Sequence, residues 1–324
     1  MKKLILIDGF NTFIRAYVAN PALTPNGNPI GGCLGFLKCI QKYMKDENPA
    51  DIIIVWDGYG GSIKKKQFFK EYKENRIPPR LNRFINNLDP GNIEENKLWQ
   101  LQRLIEYLNL MPVLQIVCDY VEADDLIGYL INNDHLGKYD QKIIVSNDKD
   151  FIQLIREDVI QIRPTTEERL DINKVLELYK IHPNNWVLAK AVCGDDSDNI
   201  PGIEGCGFKT LAKRFPCLHD DEGCGTVELK RLCQEQIDKK TKVKIYSEIL
   251  KTFDIVERNL FLMSLGDVDI SRNCLDKILY SITNFSAEFK NMSMMKLLME
   301  DGLMGTNFDQ LKRWSNERHR LTNV

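Results

Sequence analysis

The stretch MPVLQIVCDYVEADDLIGYLI, residues 111–131, decides the fold. Its first part is a short apolar run that reads as a strand over 111–117. Its last part steps apolar residues at three- and four-residue intervals and reads as a helix over 123–133. Carboxylates fill the joint, with Glu122, Asp124 and Asp125 standing where strand gives way to helix. Parallel strands cannot be joined by a tight turn, so a strand followed by an amphipathic helix is the repeating unit of a parallel sheet.

Four other runs have the same strand character: LILI (4–7), DIIIVW (51–56), KIIVS (142–146) and VIQIR (159–163). GCLGFLKCIQKYMK (32–45) and NKLWQLQRLIEYLN (96–109) supply crossover helices between them. The prediction is an α/β unit over 1–170 with helices on both faces of a parallel sheet. From Asp171 the strand signals vanish, and INKVLELYK, NNWVLAKAVC, FKTLAKRF, VELKRLCQEQI and the run from Thr241 to Leu265 all keep the helical period. A second, all-helical region is therefore expected over 171–270, followed by a helical tail over 271–324 that carries no recognisable chemistry.

Composition excludes several classes. The chain of 324 residues is 43% hydrophobic and 28% charged, enough for a large core and about two domains. Its apolar runs fall far short of the ~20 residues that span a bilayer, and Asp8 interrupts the apolar start too early for a signal peptide. The expectation is a cytoplasmic chain without a membrane segment. Nine cysteines without a C-x-x-C pair read as reduced thiols, and Cys206, Cys217, Cys224 and Cys233 fit no zinc spacing. The four histidines, His135, His182, His219 and His319, are scattered. A net charge of -2 hides two basic tracts, Lys64 to Arg83 and Lys230 to Lys244.

Ligands of open parallel sheets sit at the carboxyl ends of the strands, and the acids fall there. Asp8 ends the first strand, Asp57 the second, Glu122, Asp124 and Asp125 follow the third, and Asp148 and Asp150 follow the fourth in an extended turn. Any one of them reads equally well as a helix cap. Seven carboxylates at four strand ends are a different matter, because crowded carboxylates raise one another's pKa unless cations neutralise them. Oxygen-only donors in that number suit Mg²⁺, with Mn²⁺ as a substitute, and two-metal phosphoryl transfer. In GDDSDNIPGIEGCGFKT (194–210), Asp195 and Asp198 extend the cluster, and a turn built on Gly202, Gly205 and Gly207 opens onto a helix carrying Lys209. Such a turn attracts phosphate, although it also serves simply to join two helices.

The basic tract from Lys64 to Arg83 follows the strand that ends in Asp57. Lys73 and Arg76, three residues apart, are expected to share one helical face, with Phe68, Phe69 and Tyr72 interleaved to stack on bases. A connection of like charges containing Pro78 and Pro79 is expected to stay mobile until DNA orders it.

Taken together, LIDGFNTFIRAY, VWDG, YKENR, EADDLIG, SNDKDFIQL and GDDSDNIPGIEGCGFKT resemble the structure-specific 5′ nucleases, or flap endonucleases, over about residues 1 to 215. That family includes the 5′-nuclease domains of bacterial DNA polymerases and free-standing phage enzymes such as phage ribonuclease H. The resemblance implies a PIN-like nuclease domain with a basic helical arch over about 62–97 and a helix-turn-helix DNA-binding region whose glycine-rich turn is 201–207. It implies metal ligation by Asp8, Asp57, Glu122, Asp124, Asp125, Asp148, Asp150, Asp195 and Asp198, with Asp196 outside the set. Lys73 and Arg76 match the arch's basic pair beside the scissile phosphate. Arg15, Gly202, Gly205, Gly207 and Lys209 fall at nucleic-acid-binding positions, with K⁺ as a candidate ion at the glycine-rich turn. The implied activity is 5′ to 3′ exonuclease and flap endonuclease cleavage of branched or nicked DNA and RNA–DNA hybrids in primer or flap removal. The implied form is a free-standing monomer working beside replication proteins. Cys206 departs from the β-branched residue usual in the motif, and CLHDDEGCGT reads as an insertion. Two rivals are a phosphohydrolase of small esters with Asp8 as nucleophile, which leaves the second region unexplained, and a non-catalytic DNA clamp, which leaves the full acid set unexplained.

Overall fold

The computed structural model describes residues 1–303 other than 77, 78, 86 and 87, together with 307, 309 and 312–316. In chain order the sheet unit contains β1 (Lys3–Asp8), α1 (Gly9–Ala19), α2 (Gly31–Glu47), β2 (Asp51–Trp56), α3 (Ile63–Phe68), α4 (Pro90–Leu108), β3 (Leu114–Val117), α5 (Ala123–Asn132), β4 (Gln141–Val145), β5 (Val159–Arg163) and β6 (Glu168–Leu170). The strands are ordered β3-β2-β1-β4-β5-β6, all parallel except β6, which pairs antiparallel to β5.

Alternation of side chains along each strand sorts the core into two layers. Ile5, Ile7, Ile52, Ile54, Ile143 and Val145 face α1, α2 and α4. Leu4, Leu6, Ile53, Val55 and Ile144 face α5 on the other side. Both faces are covered, which is why these strands are almost continuously apolar rather than alternating with polar residues.

The second unit contains α6 (Ile172–Tyr179), α7 (Trp186–Cys193), β7 (Gly194–Asp195), β8 (Ile200–Pro201), α8 (Phe208–Arg214), α9 (Thr226–Asp238), α10 (Ile245–Lys251) and α11 (Phe253–Met263). Its own core centres on Trp186, which stacks on Phe208 with ring centroids 4.9 Å apart. The fully buried Asn259 of α11 donates to the carbonyls of Ala191 and Pro201 at 2.8 and 2.9 Å, fixing α11 to α7 and β8. The tail folds back onto the sheet unit. Ile278 and Ile282 of α12 (Arg272–Thr283) join the α5 layer, while Met294 and Leu298 of α13 (Asn291–Glu300) and Trp314 join the opposite one.

Several expectations are corrected. The third strand is shorter than 111–117, because Met111 and Val113 lie in the turn that enters it. The polar three-residue β6 and the helix α1, whose apolar residues follow Gly9 directly, were not anticipated. The region after Asp171 is not wholly helical, since β7 and β8 form a two-residue ladder. Thr241 to Leu265 holds two short helices broken at Thr252. Among the described residues no helix is long and apolar enough to cross a membrane.

Candidate active site

Parallel register brings the acids to one edge of the sheet. Ile7 of β1 lies beside Ile54 of β2 and Val145 of β4, so Asp8, Asp57 and Asp148 emerge together at or just past the strand ends. Asp8 caps α1 by accepting from the Asn11 N–H at 3.1 Å, and the Ser146 hydroxyl donates to its other oxygen at 3.2 Å. Asp57 accepts from the Ala123 N–H at 2.9 Å, which ties the end of β2 to the start of α5. Glu122, Asp124 and Asp125, at and just inside that helix end, bring carboxylate oxygens within 4.8 Å of one another. Asp150, Asp195 and Asp198 form a second such trio across the two units. Asp150 lies on a 3₁₀ turn, Lys149–Leu154, and not in an extended one, while Asp148 keeps extended backbone and caps that turn by accepting from the Asp150 N–H at 2.9 Å. Asp196 is exposed to solvent, apart from either trio.

Four cations of the chain offset this charge. Lys65 pairs with Glu122 at 3.1 Å and Asp125 at 2.8 Å. Lys73 pairs with Glu122, Arg76 with Asp198 at 2.6 Å, and Lys190 with both Asp150 and Asp195, the latter at 2.6 Å. Tyr72 donates its hydroxyl to Glu122 at 3.0 Å. Lys65 and Lys190 were not singled out from the sequence. Lys65 is hidden in a run of three lysines, whereas Lys190 carries a signal, since it is the one charge in the apolar helix WVLAKAVC.

The electrostatics follow from burial and crowding. Burial, with Asp57 next, pushes Asp8 well above the carboxylate range, and burial also raises Asp57 and Asp148. Asp125 is pushed up to about 7 by burial and then by Asp124, and Asp150 to about 7 by burial and then by Asp148. Burial also works to raise Glu122, but Lys73 and Lys65 outweigh it and draw this carboxyl down to about 2. The same pairings hold Lys65, Lys73 and Lys190 firmly protonated against the cost of their burial.

The donor set fits hard divalent ions. It is all carboxylate oxygen, and Asp125 Oδ1 is buried without a hydrogen-bond partner, an arrangement that costs free energy unless a cation meets it.

The flanking residues depart from expectation in specific ways. Lys73 sits in a left-handed turn at φ 57° and not on a helix, so it and Arg76 reach different carboxylates instead of sharing a face. Its backbone N–H donates to the Asp198 carbonyl at 2.9 Å, locking the turn against the second unit. Tyr72 is only 2% exposed and cannot stack on bases. Phe69 is covered by the Arg258 guanidinium of α11, whereas Phe68 packs on Phe261 of the same helix, ring centroids 4.4 Å apart, and remains 55% exposed. Arg15 lies beside the Cys39 thiol of α2. Gly205, Gly207 and Lys209 are exposed. Pro78 of the basic tract, His319 and the last residues of the tail lie outside the described residues. A polar cleft of about 470 Å³, lined by Asp148, Lys190, Asp195 and Phe208 among others, joins the acids to the start of α8 just past the glycine turn.

Known proteins agree with this architecture. Residues 3–180 match the family described as 5′-3′ exonuclease, N-terminal resolvase-like domain. The 5′-3′ exonuclease of Buchnera aphidicola subsp. Schizaphis graminum is 35% identical over 224 residues, 66% of this chain and 71% of that protein. The DNA polymerase I of Caldicellulosiruptor bescii is 32% identical over 218 residues, 65% of this chain but only 24% of that protein, so the likeness spans about a quarter of the polymerase. In fold, the chain is similar to the bacteriophage T5 D15 flap endonuclease solved with DNA and metal ions, with a TM-score of 0.65 at 19% identity, covering 93% of this chain and 99% of that one. The family match over more than half the chain and the free-standing bacterial relative together place this protein in the 5′-3′ exonuclease family.

Proposed function

We propose that the chain is a divalent-metal-dependent 5′ nuclease that hydrolyses phosphodiester bonds at flaps, nicks and ends of DNA and in RNA–DNA hybrids, as in primer or flap removal. The observation that carries this reading is the presence of two largely buried carboxylate trios, one from the sheet unit and one shared with the helical unit. Mg²⁺, with Mn²⁺ as a substitute, is the ion this reading assigns. Such ions lower the pKa of an attacking water and offset charge on the phosphate and the departing oxygen.

The chain's own residues do the rest. Asp8, Asp57, Glu122, Asp124, Asp125, Asp148, Asp150, Asp195 and Asp198 are the proposed ligands. The turn that carries Lys73 and Arg76 brings two cations to the acid edge, where they would orient the scissile phosphate and favour the added charge of the transition state. The exposed turn at Gly205 and Gly207, with Lys209 beside it, would hold duplex phosphate through its backbone, with K⁺ as a candidate counter-ion. Among the described residues no histidine or cysteine stands in the clustered groups, which leaves water as the nucleophile in this reading.

The test is cleavage of 5′-labelled flap, nicked duplex, hybrid and single-stranded substrates in Mg²⁺ and in EDTA. The reading requires release of the labelled arm near the branch in Mg²⁺ and intact substrate in EDTA. Binding of all four substrates without cleavage in any ion would leave a DNA clamp instead.

A further inference from the structure

A cavity of about 610 Å³ opens beside the acids on the side away from the glycine turn. Phe10, Trp56, Leu101, Ile105 and Val117 form much of its wall, and Asp57 stands on its lining. Phe10 follows Asp8 by two residues and Trp56 precedes Asp57, so the cavity and the carboxylate centre share a wall. Its outer side is open. Phe10 of α1 is 40% exposed and Ile105 of α4 38%, and Val117, 51% exposed, ends β3, the edge strand with no outer strand among the described residues. Apolar surface of this kind is costly to leave in water and marks a binding site.

We propose that this cavity holds an unstacked nucleobase, that of the nucleotide immediately 5′ to the scissile phosphate. This inference rests on the nuclease reading above, and the direction follows from the sheet. In the order β3-β2-β1-β4-β5-β6, the cavity lies at the β3 end. The trio that includes Asp150 and Asp195, with the cleft leading to α8, lies on the β4 side. With duplex held on the β4 side and the scissile phosphate over the acids between, the strand that continues toward β3 is the unpaired 5′ arm. A base on that arm has lost its stacking partner, and an extruded base is stabilised by stacking against aromatic and apolar side chains, as base-flipping enzymes show.

The pocket offers faces rather than edge-reading groups. Trp56 donates Nε1–H to Gln115 at 2.9 Å, and Gln115 donates to Asn109 at 2.8 Å, so these amides are engaged with one another. Trp56 is further braced by Phe36, with ring centroids 5.9 Å apart. All four bases should therefore be accepted, because each has a π-face.

The experiment compares single-turnover cleavage, over a range of enzyme concentration in Mg²⁺, of a 5′ flap with an intact nucleotide or an abasic one immediately 5′ to the scissile bond. Stacking on one base corresponds to an effect of about fivefold to a hundredfold. The wild-type chain should need that much more enzyme for half-saturation on the abasic flap, whichever base is replaced. Phe10→Ala should bind the intact flap about as weakly as the wild type binds the abasic one, and should no longer distinguish the two. Ile105→Arg, at another open position, should block the cavity with the same result, which guards against misfolding of either variant. A wild-type chain indifferent to the missing base, or variants that weaken both flaps equally, would overturn the proposal while leaving the nuclease reading intact. A wild-type chain that cleaves no flap overturns both.

Discussion

At the scale of single residues, the site is a set of carboxylates held in an environment that resists their charge. Burial and neighbouring acids raise Asp8, Asp57, Asp125, Asp148 and Asp150, with Asp125 and Asp150 reaching about 7 from 3.8. A carboxyl raised on folding gives stability that is complete below its unfolded pKa and lost as pH rises through its folded one. For Asp125 and Asp150 that window runs from about 3.8 to about 7. Glu122 and Asp195 are lowered, so their stabilisation is in place above the ordinary carboxylate range and hardly changes within the upper part of this window. His182, lowered by burial, acts in the opposite direction but is one group against five. In EDTA the Tm should therefore fall as pH is raised from 5.5 to 7.5, and Mg²⁺ should restore more of it at 7.5 than at 5.5. Thermal melts at the two pH values check this, and a flat Tm in EDTA would show that the acids do not crowd one another.

At the scale of elements, legibility followed physical signal. The central strands were readable because burial on both faces leaves little room for polar residues, as in β1 and β2. β6 was not, because three residues on the sheet edge need no apolar pattern. The acids were readable because parallel strands deliver their ends to one place. The seating of Lys73 was not, because a left-handed turn at a lysine is set by its contacts to Glu122 and Asp198 and not by local sequence. Two of the three glycines of the glycine-rich turn separate structure from the proposed function in the same way. A Cβ on Gly202 would lie 2.1 Å from the Cys193 carbonyl carbon, so Gly202→Ala should destabilise the β7–β8 ladder. A Cβ on Gly207 meets nothing within 4 Å. Gly207→Leu should leave Tm unchanged and weaken duplex binding more than single-strand binding, by about tenfold if one backbone–phosphate contact is lost. Fluorescence anisotropy with both substrates decides this, and equal affinities for the wild type and Gly207→Leu would make the turn merely a joint.

At the scale of the whole molecule, the acids join the two units. Lys190 sits on α7 with its ammonium between Asp150 of the sheet unit and Asp195 of the helical unit, all three largely buried. Removing one partner of a buried ion pair strands the other charges, at a cost of about 3–5 kcal/mol. Lys190→Met should lower stability in EDTA by an amount of that order, and Mg²⁺ should recover much of it. Denaturant melts with and without the ion test this, and a loss that Mg²⁺ does not touch would make Lys190 a packing residue only. The central claim, that this shared carboxylate centre performs the chemistry, is tested most directly by Asp124→Asn, which keeps the shape of the side chain and removes its charge. Single-turnover cleavage of a 5′ flap should slow by orders of magnitude, while affinity for the same flap stays within about tenfold of wild type. An Asp124→Asn chain that cleaves at the wild-type rate would contradict the account.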